Sequence, residues 1–417
     1  MLSDVVQRRA ALTRHRSTLF APHLDEYLDE LQRLGHGPVS LRHHLSLVTR
    51  LGEYLVTRRV HDVADLRQEH LADFLRLEGH RREKTSNGKR KVSAPTRLFA
   101  GFLLHLEERG RWQREAVRPP PIMDRFYRFL DADRGLRPAT IYLYRHFSNK
   151  FLHHLRSDGE AASLASLTIS DVDAFLVAAG RIYSRMSLGF IGSVMRALLL
   201  HLFREGVLKH DLSTCVILPR FYALERLPCA LPWKTLLRLP RVADPKTPCG
   251  LRDRAVLTIL LAYGVRPGEV VALRLEDIDW RRETIRFRRS KEGRPLSFPL
   301  TREVGEAIIT YLRRGRPRAS VREVFLRCEA PHRALSRGRV VSYLVCRYLE
   351  KAGIQSRHRG AGVIRHSLAV HLLRKGHSLK TITDVLGHRD PGTAYHYTKL
   401  AIEDLQGVAL PAREVWQ

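Results

Sequence analysis

The first half of the chain repeats an apolar pattern at an interval of about 100 residues. In each of three segment pairs, apolar residues recur at helical spacing. Such a repeat predicts two helical units of about 90 residues each, because each unit must bury its own apolar face. The alternative is that two unrelated helical bundles share this spacing. The pairs are 40–55 with 140–155, 66–75 with 167–176, and 102–110 with 198–206.

Two proline-containing stretches divide the chain. Residues 118–121 (RPPP) predict a stiff joint between the two helical units. Residues 218–250 contain several prolines and predict an interdomain linker with a short helix beginning at Trp233. The predicted segments are a helical unit at 1–117, a second helical unit at 118–217, the linker at 218–250 and a further domain with a C-terminal tail at 251–417.

The pattern after residue 250 mixes helix and strand signals. Apolar residues at 254–263 predict a buried helix that ends at Gly264, and Pro267 is suited to begin the next helix. Period-two alternation in two short segments predicts a β-hairpin whose turn holds Lys291. The fold class is therefore predicted to be mainly α with a small antiparallel β-sheet. The hairpin strands are predicted at 284–288 and 296–300, and later helices at 302–312, 339–351, 364–375 and 380–386, the last capped by Gly387.

Charge and cysteine content narrow the class of protein. The 72 Lys and Arg residues against 43 Asp and Glu give a formal charge of +29, which favours a polyanion as partner. The alternative is a basic protein with no special partner. The five cysteines are scattered without a CxxC pair, so the sequence predicts neither a zinc site nor a disulfide framework. The N-terminus lacks a signal-peptide pattern, and the longest apolar run, 255–265, is too short to span a bilayer. We therefore expect a soluble intracellular protein with no membrane partner.

Five side chains follow one another in an order that suits one chemistry. They are Arg266, Lys291, Arg365, His388 and Tyr397. The residue types match the needs of a tyrosine hydroxyl attacking a DNA phosphodiester, a reaction that builds negative charge on the phosphate and expels an alkoxide. Arginine binds two phosphate oxygens at once, and lysine and histidine can move protons. The covalent phosphotyrosyl bond conserves the phosphodiester energy, so no nucleotide cofactor is expected, and we expect no metal.

Three motifs carry a resemblance to a known family. Residues 261–273 (LAYGVRPGEVVAL) resemble the first motif of the tyrosine recombinases, also called the phage integrase family. Residues 364–369 (IRHSLA) and 385–388 (VLGH) resemble its second motif, and Tyr397 lies at the expected distance. The resemblance covers residues 251–410 strongly. It covers residues 122–210 more loosely, as the helical core-binding domain of that family.

The resemblance implies a role for each of the five side chains. Arg266 and Arg365 would clamp the phosphate, and His388 would be the second-motif histidine. Tyr397 would be the nucleophile and Lys291 the acid that protonates the leaving oxygen. The implied fold is a C-shaped clamp around double-stranded DNA, with an N-terminal DNA-binding unit, a core-binding domain and a catalytic domain. The implied setting is a mobile element in the cytoplasm at the nucleoid, with an oligomer assembling on DNA, alone or with other recombinases.

One position departs from the family pattern. The family usually has a histidine three residues before the second arginine, and this chain has Gly362 there. Glycine cannot donate a proton or bind phosphate, so reduced activity is one expectation and compensation by His358 is another. The loss also leaves open a non-catalytic accessory subunit of a recombinase set. A type IB topoisomerase, which uses the same chemistry on one strand, is a further alternative.

Several nearby residues leave alternatives open. Tyr395 competes with Tyr397 as nucleophile, and neighbouring arginines compete with Lys291 in the hairpin turn. Glu269 is read either as a group that orients an arginine or as an ordinary helix-face carboxylate. His366 is read as a packing or supporting group beside the second arginine. The C-terminal stretch 401–416 would pack onto a neighbouring protomer or fold back on its own chain. The competing arginines are Arg288, Arg289 and Arg294.

Overall fold

The computed structural model describes seven stretches of the chain. They form two compact units, Met1–Arg114 with Arg226–Gln417, and Glu115–Glu225. Each unit has its own apolar core. The described stretches are residues 9–83, 94–113, 119–220, 230–288, 295–335, 337–356 and 360–387.

In the residues that the structure describes, the N-terminal part of the first unit forms a bundle of five helices. Its core holds Phe20, Tyr27 and Phe102, and the Phe20 and Phe102 rings meet edge to face at 5.0 Å between centroids. Pro38 occupies the first position of α3, where the missing N–H costs no helical hydrogen bond. The helices are α1 (Arg9–Arg16), α2 (Ala21–Arg33), α3 (Pro38–Thr57), α4 (Gln68–Glu83) and α5 (Ala94–Glu108).

The second unit is also entirely helical in the part that the structure describes. The longest helix, α10, has ten buried residues and forms the centre of the unit. α10 is long and apolar enough to cross a membrane, but the buried core helices of soluble proteins often have the same length and composition. The helices are α6 (Pro121–Ala132), α7 (Pro138–Leu155), α8 (Ala161–Leu164), α9 (Ile169–Gly180) and α10 (Arg185–Arg204).

The helices of the two bundles follow one another in the same order. α3 and α7 both begin at a proline, Pro38 and Pro138, in the positions that the sequence repeat aligns. α4 and α9 come next, apart from short turns of helix, and α5 and α10 close each bundle. The order of elements is therefore consistent with the predicted repeat, and the duplication itself stays a prediction.

Residues 230–387 combine helices with a three-stranded antiparallel sheet of order β1-β2-β3. Ile285 in the middle strand pairs with Ile278 of β1 and with Phe298 of β3. The predicted mainly helical fold with a small antiparallel sheet is confirmed, as is the pairing of the two hairpin strands. The helices are α11 (Trp233–Leu236), α12 (Leu239–Val242), α13 (Pro248–Tyr263), α14 (Pro267–Val271), α15 (Arg302–Arg314), α16 (Gly338–Lys351), α17 (Ala361–Arg374) and α18 (Leu379–Leu386), and the strands are β1 (Ile278–Asp279), β2 (Thr284–Phe287) and β3 (Leu296–Pro299).

Glycines end two of these helices in the left-handed conformation. Gly264 follows α13 with φ of 58°, and Gly387 follows α18 with φ of 63°. Only glycine adopts this conformation without steric cost, so both helix ends follow from local sequence. Both predicted caps are confirmed.

Residues 236–250 of the predicted linker pack into the core of the mixed helical and sheet region at 230–387. Leu236, Leu239 and Ala243 are buried there, and α13 begins at Pro248, ahead of the predicted start at residue 254. The Thr247 hydroxyl caps α13 by accepting from the Gly250 N–H at 3.1 Å. Apolar burial and a capped helix start therefore tie residues 236–250 to the domain that follows them.

Candidate active site

Arg365 lies where the ends of two helices meet. It projects from α17 and is only 8% exposed. Its Nη1 donates to the carbonyl of Gly264, at the end of α13, at 2.7 Å. Its Nη2 donates to the carbonyl of Leu386, the last residue of α18. Helix C-termini expose unpaired carbonyls and carry partial negative charge, so a buried guanidinium is stabilised at this position.

Arg266 begins the short helix α14 and is held by Glu269. The Glu269 side chain is 1% exposed and accepts from the Arg266 backbone N–H at 2.8 Å and from its Nη1 at 3.0 Å. The Arg266 side chain remains 40% exposed. Glu269 therefore orients an arginine, which is one of the two readings left open by the sequence, and it leaves part of the guanidinium accessible to a ligand.

The two arginines converge on consecutive carbonyl groups. Arg365 donates to Leu386, and Arg266 Nη2 donates to Gly387 at 3.4 Å. Two permanent cations from different helices therefore meet at the end of α18. This point immediately precedes position 388 in the chain. A planar fork on each cation suits an oxyanion with several oxygens, such as a phosphate diester.

Gly264 allows the three helices to approach one another. A Cβ at this position would lie 2.7 Å from Leu368 Cδ2 and 2.9 Å from Leu386 Cδ2. At such distances the Leu368 and Leu386 side chains would have to shift, and any larger residue at 264 would also adopt a strained positive φ. Gly264 also supplies the carbonyl that Arg365 binds. The glycine thus serves both packing and the placement of the arginine.

Three of the five predicted site residues lie outside the described residues. They are Lys291, His388 and Tyr397, and the same holds for the alternatives His358 and Tyr395. The structure does describe the segments that lead to them. Strands β2 and β3 flank residues 289–294, which include Lys291, and Gly387 directly precedes position 388.

Gly362 is exposed in the first turn of α17, one turn before His366. Apart from the backbone of its own helix and its two chain neighbours, a Cβ built at Gly362 would meet a single described heavy atom within 4 Å, the Nε2 of His366 at 4.0 Å. His366 is half-buried. The position that departs from the family pattern thus lies beside the imidazole of His366.

Asp277, which was not predicted from the sequence, anchors the strand that leads to the hairpin turn. Its side chain is fully buried and accepts from Arg288 Nε at 3.1 Å and from the Arg274 N–H at 3.0 Å. Arg286 of β2 also lies within 3.5 Å. The available signal was spacing, since Arg274 and Asp277 repeat the Arg-x-x-acid pattern of Arg266 and Glu269. In the described parts of the chain, no three metal-ligating side chains come together.

Comparison with known proteins shows the family to which this chain belongs. The model described as "Phage integrase family" matches residues 234–403, and that described as "Phage integrase, N-terminal SAM-like domain" matches residues 123–206. The y4rA integrase/recombinase of Sinorhizobium fredii is 32% identical over 405 residues, 96% of either chain. The chain belongs to the phage integrase family of tyrosine recombinases.

Further comparisons agree with this membership. The tyrosine recombinase XerD of Vibrio vulnificus (strain YJ016) is 31% identical over 290 residues, 67% of this chain and 92% of its own. A lambda integrase tetramer bound to a Holliday junction has 18% sequence identity, with a TM-score of 0.52 over 76% of this chain and 90% of that one. This structural likeness shows the fold. The predicted family is confirmed, and site-specific DNA recombination is the function of a tyrosine recombinase.

Proposed function

We propose that this tyrosine recombinase cleaves and rejoins double-stranded DNA with Tyr397 as its nucleophile. The observation that carries the proposal is the convergence of Arg266 and Arg365 on consecutive carbonyls directly before position 388. The arginines come from different helices and are fixed by buried contacts before any ligand arrives. Preorganised charge of this kind is the largest contribution to many enzymatic phosphate reactions.

The proposed cleavage step joins Tyr397 to the DNA and releases a 5′-hydroxyl. The Tyr397 oxygen bonds to phosphorus while the bond from phosphorus to the 5′-oxygen breaks. Lys291 gives a proton to that oxygen, and His388 assists removal of the tyrosine proton. Arg266 and Arg365 bind the non-bridging oxygens as their charge grows. Rejoining is the reverse, with a 5′-hydroxyl attacking the phosphotyrosine, so neither a metal nor a nucleotide is called on.

The proposed domain roles follow the family. Residues 1–117 would form an N-terminal DNA-binding unit, 118–217 the core-binding domain and 251–417 the catalytic domain. Residues 218–250 would join the last two, with 236–250 packed into the catalytic core. The charge of +29 would supply phosphate contacts. We further propose that the chain assembles on DNA as an oligomer, as the lambda integrase tetramer does. Tyrosine recombinases are generally soluble cytoplasmic proteins, and action on chromosomal DNA would bring this one to the nucleoid.

A mobile element is the proposed setting. The y4rA relative, which matches nearly the whole chain, carries the description integrase/recombinase. Gly362 supports a second candidate, an accessory subunit that binds DNA beside active recombinases, because no side chain projects from that position.

The formation of a covalent protein–DNA adduct tests the proposal. The substrate would be a duplex from the DNA that flanks the gene for this protein, chosen because the protein binds it. A nick near the cleavage point would prevent the released strand from rejoining. We expect the wild type to give a band of retarded mobility on a denaturing gel, and Tyr397→Phe to give none. Tyr395→Phe serves as the matched control and should retain the band. Stable DNA binding without an adduct would favour the accessory subunit.

A further inference from the structure

The first turn of α17 brings three features of the proposed site together. Gly362 is exposed, Arg365 is buried against the ends of α13 and α18, and His366 is half-buried. Residues 362 and 366 are one helical turn apart and so lie on the same side of the helix. Arg365 stands three residues from Gly362, so it neighbours the same face.

The direction of helical side chains explains what occupies the space at Gly362. A side chain on a helix leans toward the N-terminus and covers the turn that precedes its own Cα. His366 therefore covers the turn that contains Gly362. Its Nε2 lies 4.0 Å from the place where a Cβ at 362 would be. Apart from the backbone of the helix itself and the two neighbouring residues, the described chain puts no other heavy atom within that distance. The missing side chain at 362 leaves room that the imidazole nitrogen of His366 borders.

We propose that His366 is a catalytic residue that donates a hydrogen bond from Nε2 to a non-bridging oxygen of the scissile phosphate. This assignment rests on the proposed function. The donor would stand beside Arg365 on the face that glycine leaves open, so the phosphate can approach it. No bond to His366 forms or breaks, and a neutral imidazole suffices because it needs only its Nε2 proton. A glycine at 362 is then compatible with full activity, because the His366 imidazole still donates a hydrogen bond to the phosphate from this face of the helix.

The central test compares rates of adduct formation on the nicked duplex. His366→Ala is expected to lower the rate on the order of 100-fold, the cost of removing one preorganised donor. Adding Gly362→His to that variant should restore most of the rate, because position 362 has space for a side chain. Gly362→Ala in the same background adds a Cβ without an imidazole and should restore nothing. A role of His366 in packing alone would not be rescued by a histidine one turn away.

Two further measurements separate catalysis from folding and from proton transfer. His366→Gln keeps an N–H donor and should lie between wild type and His366→Ala, while DNA affinity and melting temperature stay unchanged. The exposed His377 lies beyond the end of α17, and His377→Ala should react at the wild-type rate. A substrate with sulfur as the 5′-bridging atom releases a thiolate without needing an acid. It should rescue Lys291→Ala and leave His366→Ala slow.

The outcomes distinguish the two proposals. An unchanged rate in His366→Ala, with an active wild type, would overturn the assignment and leave the recombinase function intact. An inactive wild type that becomes active as Gly362→His would also overturn it, since His366 would then not replace the missing side chain. No adduct from the wild type or from any Gly362→His variant would overturn the proposed function itself.

Discussion

At the scale of single residues, the buried Glu269 carboxylate controls the position of Arg266. Glu269→Gln keeps the shape of the side chain. It turns an amide N–H₂ toward one of the two Arg266 N–H donors from which the carboxylate now accepts hydrogen bonds. We expect adduct formation to fall on the order of 100-fold through misplacement of the arginine. The free energy of unfolding should fall by about 1–3 kcal/mol because a buried donor loses its acceptor. Single-turnover cleavage and urea denaturation would measure the two effects.

Glu276 provides the matched control for this prediction. It is 41% exposed and pairs with Arg274 and Arg322 at 3.9 and 3.4 Å. Exposed pairs contribute little, so Glu276→Gln should change the free energy of unfolding by less than about 1 kcal/mol and leave cleavage unchanged. Equal effects of the two substitutions would contradict the positioning role of Glu269.

The sequence predicted Arg266 and Arg365 as site residues but not the groups that hold them. Motif spacing is enough to predict both arginines without any knowledge of packing, and their catalytic role stays a prediction. The carbonyls of Gly264 and Leu386 could not be identified, because Arg365 reaches them across 101 and 21 residues of chain. Such contacts depend on how three helices pack. The position of His366 Nε2 beside Gly362 likewise could not be predicted. Residue spacing shows which side chains share a face of a helix but not the distance between their atoms.

At the scale of elements, the end of α13 sets the packing of the site. Gly264→Ala must adopt a positive φ and also place its Cβ against Leu368 and Leu386. The backbone alone costs about 1–2 kcal/mol, and the overlap adds about 1–3 kcal/mol. We expect the free energy of unfolding to fall by the sum and cleavage to fall with it, because the carbonyl bound by Arg365 moves. Chemical denaturation and adduct formation would measure both.

A substitution at Gly353 separates the backbone cost of Gly264→Ala from the cost of its side-chain overlap. It has φ of 67°, and a Cβ there would meet no described atom within 4 Å. Gly353→Ala should therefore show the backbone cost alone and leave cleavage unchanged. The interpretation would fail if both alanine variants lost the same stability and kept full cleavage.

The elements themselves were predicted unevenly, for a physical reason. Helix ends at Gly264 and Gly387 follow from local glycine chemistry and were predicted correctly. The start of α13 at Pro248 was not, because its prolines suggested a linker. Leu236 and Leu239 are buried in the core of the domain that follows, so this stretch belongs to that domain. Such burial depends on residues that are distant in sequence. Proline at a first helical position is as compatible with a helix as with a joint.

At the scale of the whole molecule, the N-terminal bundle should lose stability in acid. Burial lowers the pKa of His44 from 6.5 to about 4. Its Nδ1 meets the Tyr27 hydroxyl at 2.7 Å, and its Nε2 is buried with no partner among the described residues. The stabilising contribution of neutral His44 is therefore complete above pH 6.5 and is lost as pH falls toward 4. The loss should be at most about 3 kcal/mol.

Denaturation followed by Trp112 fluorescence would measure this loss. Trp112 is buried in the same bundle, and the other three tryptophans can be replaced by phenylalanine. His44→Gln should weaken the dependence of unfolding on pH between 6.5 and 4, whereas the exposed His43→Gln should not. An unchanged dependence in His44→Gln would show that other groups cause it. His15 and His36 have pKa values lowered mainly by burial and would contribute in the same direction.

The large positive charge should make DNA binding strongly dependent on salt. A protein that contacts six to ten phosphates loses roughly 10³–10⁵ in affinity between 50 and 200 mM salt. We expect such a loss for this chain, measured as the slope of log affinity against log salt. Arg266→Ala should reduce the slope by about one, since it removes one phosphate contact. A slope near zero would contradict the proposed phosphate-based binding.

The order of segments along the chain was predictable, but their assembly was not. Charge and motifs indicated a DNA-acting protein with helical units ahead of a mixed domain. The grouping of Met1–Arg114 with Arg226–Gln417 as one compact unit was not expected, because it joins segments more than 100 residues apart. Contacts of that separation leave no periodic signal in a sequence.

The amino acid joined to DNA in the covalent adduct identifies the nucleophile of this recombinase. The trapped adduct would be digested with protease and nuclease, and the modified peptide sequenced by mass spectrometry. We expect a nucleotide joined through its 3′-phosphate to Tyr397. Attachment to Tyr395, linkage through a 5′-phosphate, or no covalent adduct on a bound site would contradict it.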